Sequence, residues 1–296
     1  MRASAVELPV SWTIHREVVL LLGWARAILL QFAHPLVAQG VRDHSAFRAG
    51  PLAPWRRLHG TLRAMLALTF GDEAEAARAI AGINAIHDRV HGRLPQAVGP
   101  FPAGTPYSAR DPELLRWVHA TCLDSFLLAY EVFVRPLTPA ERDRYCAEAA
   151  PIETALGMPP GFLPRSAAEL ADYLARVRAS GVLAVGDTAR ALARELLSPP
   201  GLRWLPPLLW ALRLPAVGLL PPDVRAAYGL PWDARRAAAL RALAALVRRV
   251  LPVLPPALRH WPRARRAARA RLAAAAARTP GGGAPGAAGL RAPAGP

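Results

Sequence analysis

Apolar residues recur at helical spacing along nearly the whole chain, and this pattern limits the fold more than any other feature of the sequence. Stretches such as "GDEAEAARAIAGINAIHDRVHG" (71–92) and "RDPELLRWVHATCLDSFLLAYEVFV" (110–134) are far longer than a typical strand. No alternation of apolar and polar residues extends beyond a few positions, and no Asn-Gly or Asp-Gly hairpin signal occurs. We therefore predict an all-α fold, built as a single multi-helix globular domain.

Signals for helix starts and breaks divide this pattern into elements. Pro35 interrupts the apolar segment 15–40, because proline lacks a backbone donor and clashes one turn back. Gly92 is the predicted end of the helix over 71–92. The loop prediction covers 93–109. The helix starts are predicted at Asp72, at Asp111-Pro112, at Thr138-Pro139, and at Ser166 with Glu169 as a capping box.

Composition sets the expected domain limits. We predict a lead-in over 1–14, one all-helical catalytic domain over 15–270, and a disordered tail over 271–296. The tail prediction rests on the run "TPGGGAPGAAGLRAPAGP" from Thr279, which is too poor in large apolar residues to order itself.

The basic charge of the chain is concentrated at its C-terminal end. The net charge is +16, all basic residues are Arg, and 13 of the 37 Arg lie after Asp233, where there is no acid. The preceding residues carry 24 Arg against 21 acids, or +3, which argues against a specific nucleic-acid partner. We expect any peripheral membrane contact to use either the apolar segment 202–222 or the Arg-rich arm 259–278.

Two long apolar segments are candidates for membrane spans. The segment 18–38 contains Arg26 and His34, and the segment 202–222 contains several prolines and two Arg, so neither is a clear transmembrane helix. The N-terminus shows no secretory signal. We therefore expect a cytoplasmic protein, and the sequence leaves open whether it also associates with a membrane surface. The sequence leaves the oligomeric state open.

Seven of the eight histidines lie in the first 119 residues, which favours a metal or haem site over a random distribution. The alternative is a purely structural role, in which these histidines cap helices or bond to core carbonyls. His87 and His91 are spaced for one helix face and nearly match the zinc-protease signature. Asp88 is one methylene shorter than the required Glu, and "GRLPQAVG" supplies no third ligand, so zinc hydrolysis is a poor fit.

Arg57 and Thr61 form a second pair, spaced to share one face of a helix otherwise lined by apolar residues. A fixed cation beside a hydroxyl could stabilise charge on a bound oxygen species. The alternative is a surface Arg and an ordinary helical Thr.

Five long motifs of the chain resemble motifs of one protein family. They are "LLQFAHPLVAQGVRDHSAF" (29–47), "RLHGT" (57–61), "INAIHDRVHG" (83–92), "YSARDPELLRWVHATCLDS" (107–125) and "PPDVRAAYGLPW" (221–232). In this order and at these intervals they closely resemble the MpaB-type/rubber oxygenase catalytic domain, which includes a fungal membrane-bound oxygenase and the bacterial latex-clearing proteins. The resemblance extends over about residues 15–270.

The resemblance implies an oxidoreductase of the oxygenase type, with haem b (iron) as cofactor and O₂ as co-substrate, cleaving an isoprenoid C=C bond. It assigns the iron ligand to His87 and catalytic roles on the opposite side of the haem to Arg57 and Thr61. Where some latex-clearing proteins have a haem-binding Lys, this chain has Gly60, so His59 or water could fill that position. The nearest match to the catalytic acid is Asp43.

The remaining candidates have supporting roles. His91 is expected to bond a haem propionate or a helix carbonyl, and His34, His44 and His119 are expected to orient cofactor-binding groups or to be structural. The sequence therefore predicts a haem-dependent oxygenase acting on an apolar, isoprenoid-type substrate. The alternative is a non-catalytic helical protein that carries haem or lipid.

Overall fold

The computed structural model describes residues 8–44, 53–199 and 204–278, without the side chains of 53–57 and 275–278. The described part is mainly helical, which confirms the all-α prediction. The helices are α1 Val10–His15, α2 Leu21–Phe32, α3 Pro35–His44, α4 Ala53–Phe70, α5 Glu73–His87, α6 Pro112–Phe133, α7 Pro139–Ala149, α8 Ile152–Ala155, α9 Ala167–Ala179, α10 Asp187–Leu197, α11 Pro206–Gly218, α12 Pro222–Ala227, α13 Ala234–Val250, α14 Pro256–Arg259 and α15 Pro262–Arg278. Short 3₁₀ turns occupy Val18–Leu20 and Leu251–Val253.

The core is built on the packing of α2 against α6. Both helices are rich in buried apolar side chains, including Leu29, Phe32, Trp117 and Phe133. Close approach is possible because α2 contributes Gly23, where an added Cβ would collide with α6. The apolar segment bends by 106° between α2 and α3, as predicted for Pro35. This bend places His34 at the junction of the two helices.

The predicted helix starts agree closely with the structure. Asp72 and Thr138 each form a complete capping box, and Asp111 accepts a hydrogen bond from the Glu113 amide. Ser166 caps α9 by accepting from the Glu169 amide at 3.1 Å. The carboxylate of Glu169 instead accepts from the amide of the residue before Ser166, so only half of that predicted box forms.

A small antiparallel hairpin replaces part of the predicted loop. Strands β1 His91–Arg93 and β2 Pro106–Ser108 pair with Gly92 opposite Tyr107. The predicted helix over 71–92 is therefore too long, since α5 ends at His87. Gly92 does not end a helix. It lets the Tyr107 side chain cross the strand pair, because a Cβ at this position would lie 2.5 Å from the Tyr107 hydroxyl oxygen.

The C-terminal helices return to the beginning of the chain. The carboxylate of Glu17 is fully buried and accepts from the Arg259 guanidinium at 2.8 Å, and an isolated bridge pairs Glu17 with His260. Helix α15 then packs on α4 and continues to Arg278. The predicted tail therefore starts too early at 271, and its remainder from Thr279 lies outside the described residues. Helix α1 likewise begins inside the predicted lead-in 1–14, while the limits of the domain itself stay a prediction.

In the described ranges, no individual helix combines the length and apolarity needed to cross a membrane. The segments Val18–Phe32 and Pro35–His44 meet those criteria only as a sharply bent pair.

Candidate functional site

The site predicted from sequence centres on the hairpin of α4 and α5. A two-residue link joins these helices and they pack against each other, so they run antiparallel. This arrangement brings the part of α4 that contains Arg57 and Thr61 to the same end of the hairpin as His87. The side chain of Arg57 lies outside the described residues, and Thr61 is exposed.

His59 is also exposed, on the same helix. Residues two apart on a helix lie about 200° apart, whereas residues four apart lie about 40° apart. His59 therefore faces away from Thr61. These two side chains are thus unsuited to serve the same pocket.

His87 has an unsatisfied ring nitrogen. Its Nδ1 is buried without a hydrogen-bond partner. Burial is the main cause that lowers the pKa of His87, and the Arg110 guanidinium adds to the effect while Asp88 opposes it. A neutral imidazole has one nitrogen free to accept a proton or a metal. Buried polar atoms are rarely left unpaired, and Nδ1 of His34 is in the same state, so the Nδ1 of His87 is a candidate ligand atom.

The helix that carries His87 packs incompletely. Every residue of α5 is described, and none of them is buried, although Ile80, Ile83 and Ile86 lie along it. A Cβ added at Gly82 would meet nothing within 4 Å. This open space lies about 140° around α5 from His87, so it faces a different side of the helix from the His87 ring.

Two further histidines lie in the interior near this region. Burial lowers the pKa of His119 in α6 to about 4, and the electrostatic effect of His87 adds to this lowering. His34 is buried against Phe101 with its Nδ1 unpaired, and burial lowers its pKa to about 4. The supporting roles of His119 and His34 stay predictions.

His91, His44 and Asp43 form a separate cluster with Tyr107. The hypothesis that His87 and His91 share one helix face is wrong, because α5 ends at His87 and His91 begins β1. His91 is exposed, and its carbonyl lies 3.0 Å from Nε2 of His44. The hydroxyl of Tyr107 donates to Asp43 Oδ2 at 2.5 Å, and the Gln39 amide donates to Oδ1 at 2.8 Å.

These bonds give the cluster a structural function, because they attach the β1–β2 hairpin to the end of α3. Both oxygens of Asp43 are occupied, which weakens its case as a catalytic acid. Burial and Asp43 together raise the pKa of Tyr107, so this hydroxyl stays a donor.

Arg110 is a residue of this region that the sequence did not single out. Its guanidinium binds Asp88 at 2.7 Å and the Asn84 side chain at 2.8 Å, which ties the end of α5 to the loop before α6. Asp88 is therefore engaged with Arg110 and does not orient the His87 ring. The only signal in the sequence was that Arg110 lies in the motif 107–125.

The available donors suit an axial ligand better than a metal cage. Among the residues described, no group of three or more His, Cys, Asp or Glu could hold a metal ion. A tetrahedral zinc site normally takes three or four such ligands, so the zinc alternative gains no support. Haem needs only one axial side chain from the protein, and the unpaired, neutral His87 fits that requirement.

The fold and the site together define a class: an all-helical protein with a neutral, unpartnered histidine on an incompletely packed apolar helix. The chain belongs to the family described as ER-bound oxygenase mpaB/B'/rubber oxygenase, catalytic domain, whose profile matches residues 12–249. Family membership supports an oxygenase type of function. Searches against curated proteins and against solved structures returned no significant match.

Proposed function

We propose that this protein is a haem-dependent oxygenase that acts on an apolar, isoprenoid-type substrate with O₂ as co-substrate. The observation that carries the proposal is the buried, unpartnered Nδ1 of His87 on α5. The oxygenase class of the family supports it independently.

His87 is the residue proposed to hold haem b. Its lowered pKa keeps the imidazole neutral near pH 7, and only the neutral ring has a lone pair for iron. Bound haem supplies the iron centre at which O₂ is activated. His119 is a candidate to orient this end of the site through its interaction with His87.

The other residues have simple physical tasks in this proposal. Arg57 supplies a fixed positive charge and Thr61 a hydroxyl donor, and together they stabilise negative charge that develops on oxygen. Ile86, which is 54% exposed, offers apolar surface to a prenyl chain.

Oxygen uptake with prenyl substrates and a reductant tests the catalytic part of the proposal. We expect Thr61→Val to lower the rate by about a hundredfold to a thousandfold while leaving haem content unchanged, which is the usual range for one lost donor. His59→Ala is the matched control on the opposite face of α4 and should retain the rate. Equal rates for wild type and Thr61→Val would contradict the assignment of Thr61.

A haem or lipid carrier is the second candidate. It is favoured by one observation, namely that both oxygens of Asp43 are already bonded to Tyr107 and Gln39. A carrier would bind haem without consuming O₂ in the presence of any prenyl substrate tested.

A further inference from the structure

The beginning of α11 exposes a compact apolar surface. Trp204 is 87% exposed and Trp210 is 52% exposed, and Leu205 and Leu208 between them are exposed as well. We call these four residues the Trp204–Trp210 patch. Leu209 is buried, so this segment packs against the rest of the protein through Leu209. Large exposed apolar patches on proteins mark binding surfaces.

A second exposed apolar face lies on α13, which packs against α11. Leu246 and Val250 are four residues apart, so they share one helix face, and both are exposed. Val253 and Leu258 continue the exposed apolar side chains beyond the end of α13. Arg249 is exposed among them, which gives this face the mixture of apolar and basic residues typical of interfacial helices.

The charge of this part of the chain decides between possible occupants. Outside the Arg-rich arm, residues 204–258 contain seven Arg and only two acids, Asp223 and Asp233. Both acids are paired with arginines of the chain itself, Arg178 and Arg236. A second copy docked through the same face would bring Arg against Arg without a free acid to compensate. An anionic surface would instead be complementary.

We propose that the Trp204–Trp210 patch, together with the exposed face of α13, is a peripheral binding surface for a bilayer with anionic headgroups. Tryptophan rings are well suited to the boundary between headgroups and acyl chains, and Leu side chains next to them gain by leaving water. The arginines add attraction to anionic lipid. This surface goes beyond the proposed oxygenase function and does not depend on cofactor binding.

The Arg-rich arm is the competing surface, and the structure gives it less to insert. Helix α15 packs on α4, and Leu272 is its exposed large apolar residue within the described part of the chain. The variant Leu272→Ser is therefore a matched control for substitutions in the Trp204–Trp210 patch.

Vesicle sedimentation of the full chain tests the proposal. We expect binding to phosphatidylcholine vesicles that contain phosphatidylglycerol, weaker binding to pure phosphatidylcholine, and partial loss at high salt. The double variant Trp204→Ser/Trp210→Ser should bind at least about tenfold more weakly, because two large apolar side chains no longer leave water. Leu272→Ser should bind like the wild type. Quenching of wild-type tryptophan fluorescence by brominated acyl chains checks insertion without any substitution.

Four results would overturn the proposal. The first is no binding of the wild type to anionic vesicles, and the second is equal binding by the double variant. The third is a wild-type dimer that the double variant converts to a monomer, which would assign the patch to a second copy of the chain. A loss of binding in Leu272→Ser as large as in the double variant would transfer the membrane contact to the arm.

Discussion

Replacing Gly23 with Ala should destabilise the protein, although Ala is the better helix former. An added Cβ at Gly23 would lie 2.6 Å from the Ala129 Cβ and 2.8 Å from the Ser125 carbonyl oxygen. One of these neighbours is backbone, so relief requires α2 and α6 to separate. Helix propensity favours Ala by about 1 kcal/mol. Forcing a methyl group into a packed interface costs about 1–3 kcal/mol, and the contact with backbone places Gly23→Ala in the upper part of this range, at about 2–3 kcal/mol. We expect a net loss of about 1–2 kcal/mol in the free energy of unfolding.

Thermal unfolding followed by circular dichroism measures this effect. A change of 1 kcal/mol corresponds to roughly 2–4 °C in Tm for a chain of this size, so Gly23→Ala should melt about 2–8 °C below the wild type. The matched control is Gly82→Ala in the middle of α5, where nothing would contact the new Cβ within 4 Å. Without a clash, only the propensity gain of about 0.5–1 kcal/mol remains, and Tm should rise.

The two variants separate packing from propensity. If Gly23→Ala raised Tm as much as Gly82→Ala, the tight contact of α2 with α6 would be refuted.

Three further predictions concern buried polar groups. Glu17→Gln should lower the free energy of unfolding in urea by about 3–5 kcal/mol, because a buried ion cluster loses its anion, whereas the exposed Asp223→Asn should cost less than about 1 kcal/mol. Burial lowers the pKa values of His15 and His34 to about 4. The unfolded chain therefore binds more protons between about pH 6.5 and 4. Acidification across this window should lower the free energy of unfolding by up to about 3 kcal/mol per histidine. Urea midpoints that do not change with pH in this range would contradict this prediction. Tyr107→Phe should cost about 1–3 kcal/mol and expose the β1–β2 hairpin to limited proteolysis, and unchanged cleavage would argue against its anchoring role.

The local signals that predicted the fold correctly are those with a direct backbone mechanism. Proline at Pro35 broke the apolar segment, and Asp72 and Thr138 satisfied the free amides at helix starts. Such residues act within a few positions of the chain, so the sequence alone is sufficient. The long apolar periodicity likewise predicted both ends of α6 to within one or two residues.

The prediction errors arose where distant contacts overrode local spacing. The pattern of 71–92 favours a helix throughout, but Arg110 binds Asp88 and Tyr107 packs across Gly92, so the chain leaves α5 after His87. Three-residue strands are too short to show alternation, which is why the hairpin was missed. Spacing alone made His87 and His91 equivalent, and only the structure separates them.

The centre of the candidate site stays a prediction, whereas the contacts around it come from the structure. The motifs pointed to His87, and the structure adds the unpaired Nδ1 and the association with His119. No local pattern could show that Asp43 is bonded on both oxygens, because its partners Gln39 and Tyr107 come from different elements. The catalytic roles of Arg57 and Thr61 stay predictions.

The central claim is that His87 holds haem, and one comparison tests it most directly. Wild type, His87→Ala and His91→Ala are purified, supplied with haem, and measured by ultraviolet–visible absorption together with iron quantification. We predict a Soret band and about one iron per chain in the wild type and in His91→Ala, and the loss of both in His87→Ala with its helical circular dichroism retained. A colourless, iron-free wild type, or a His87→Ala protein that keeps the wild-type spectrum, would contradict the account.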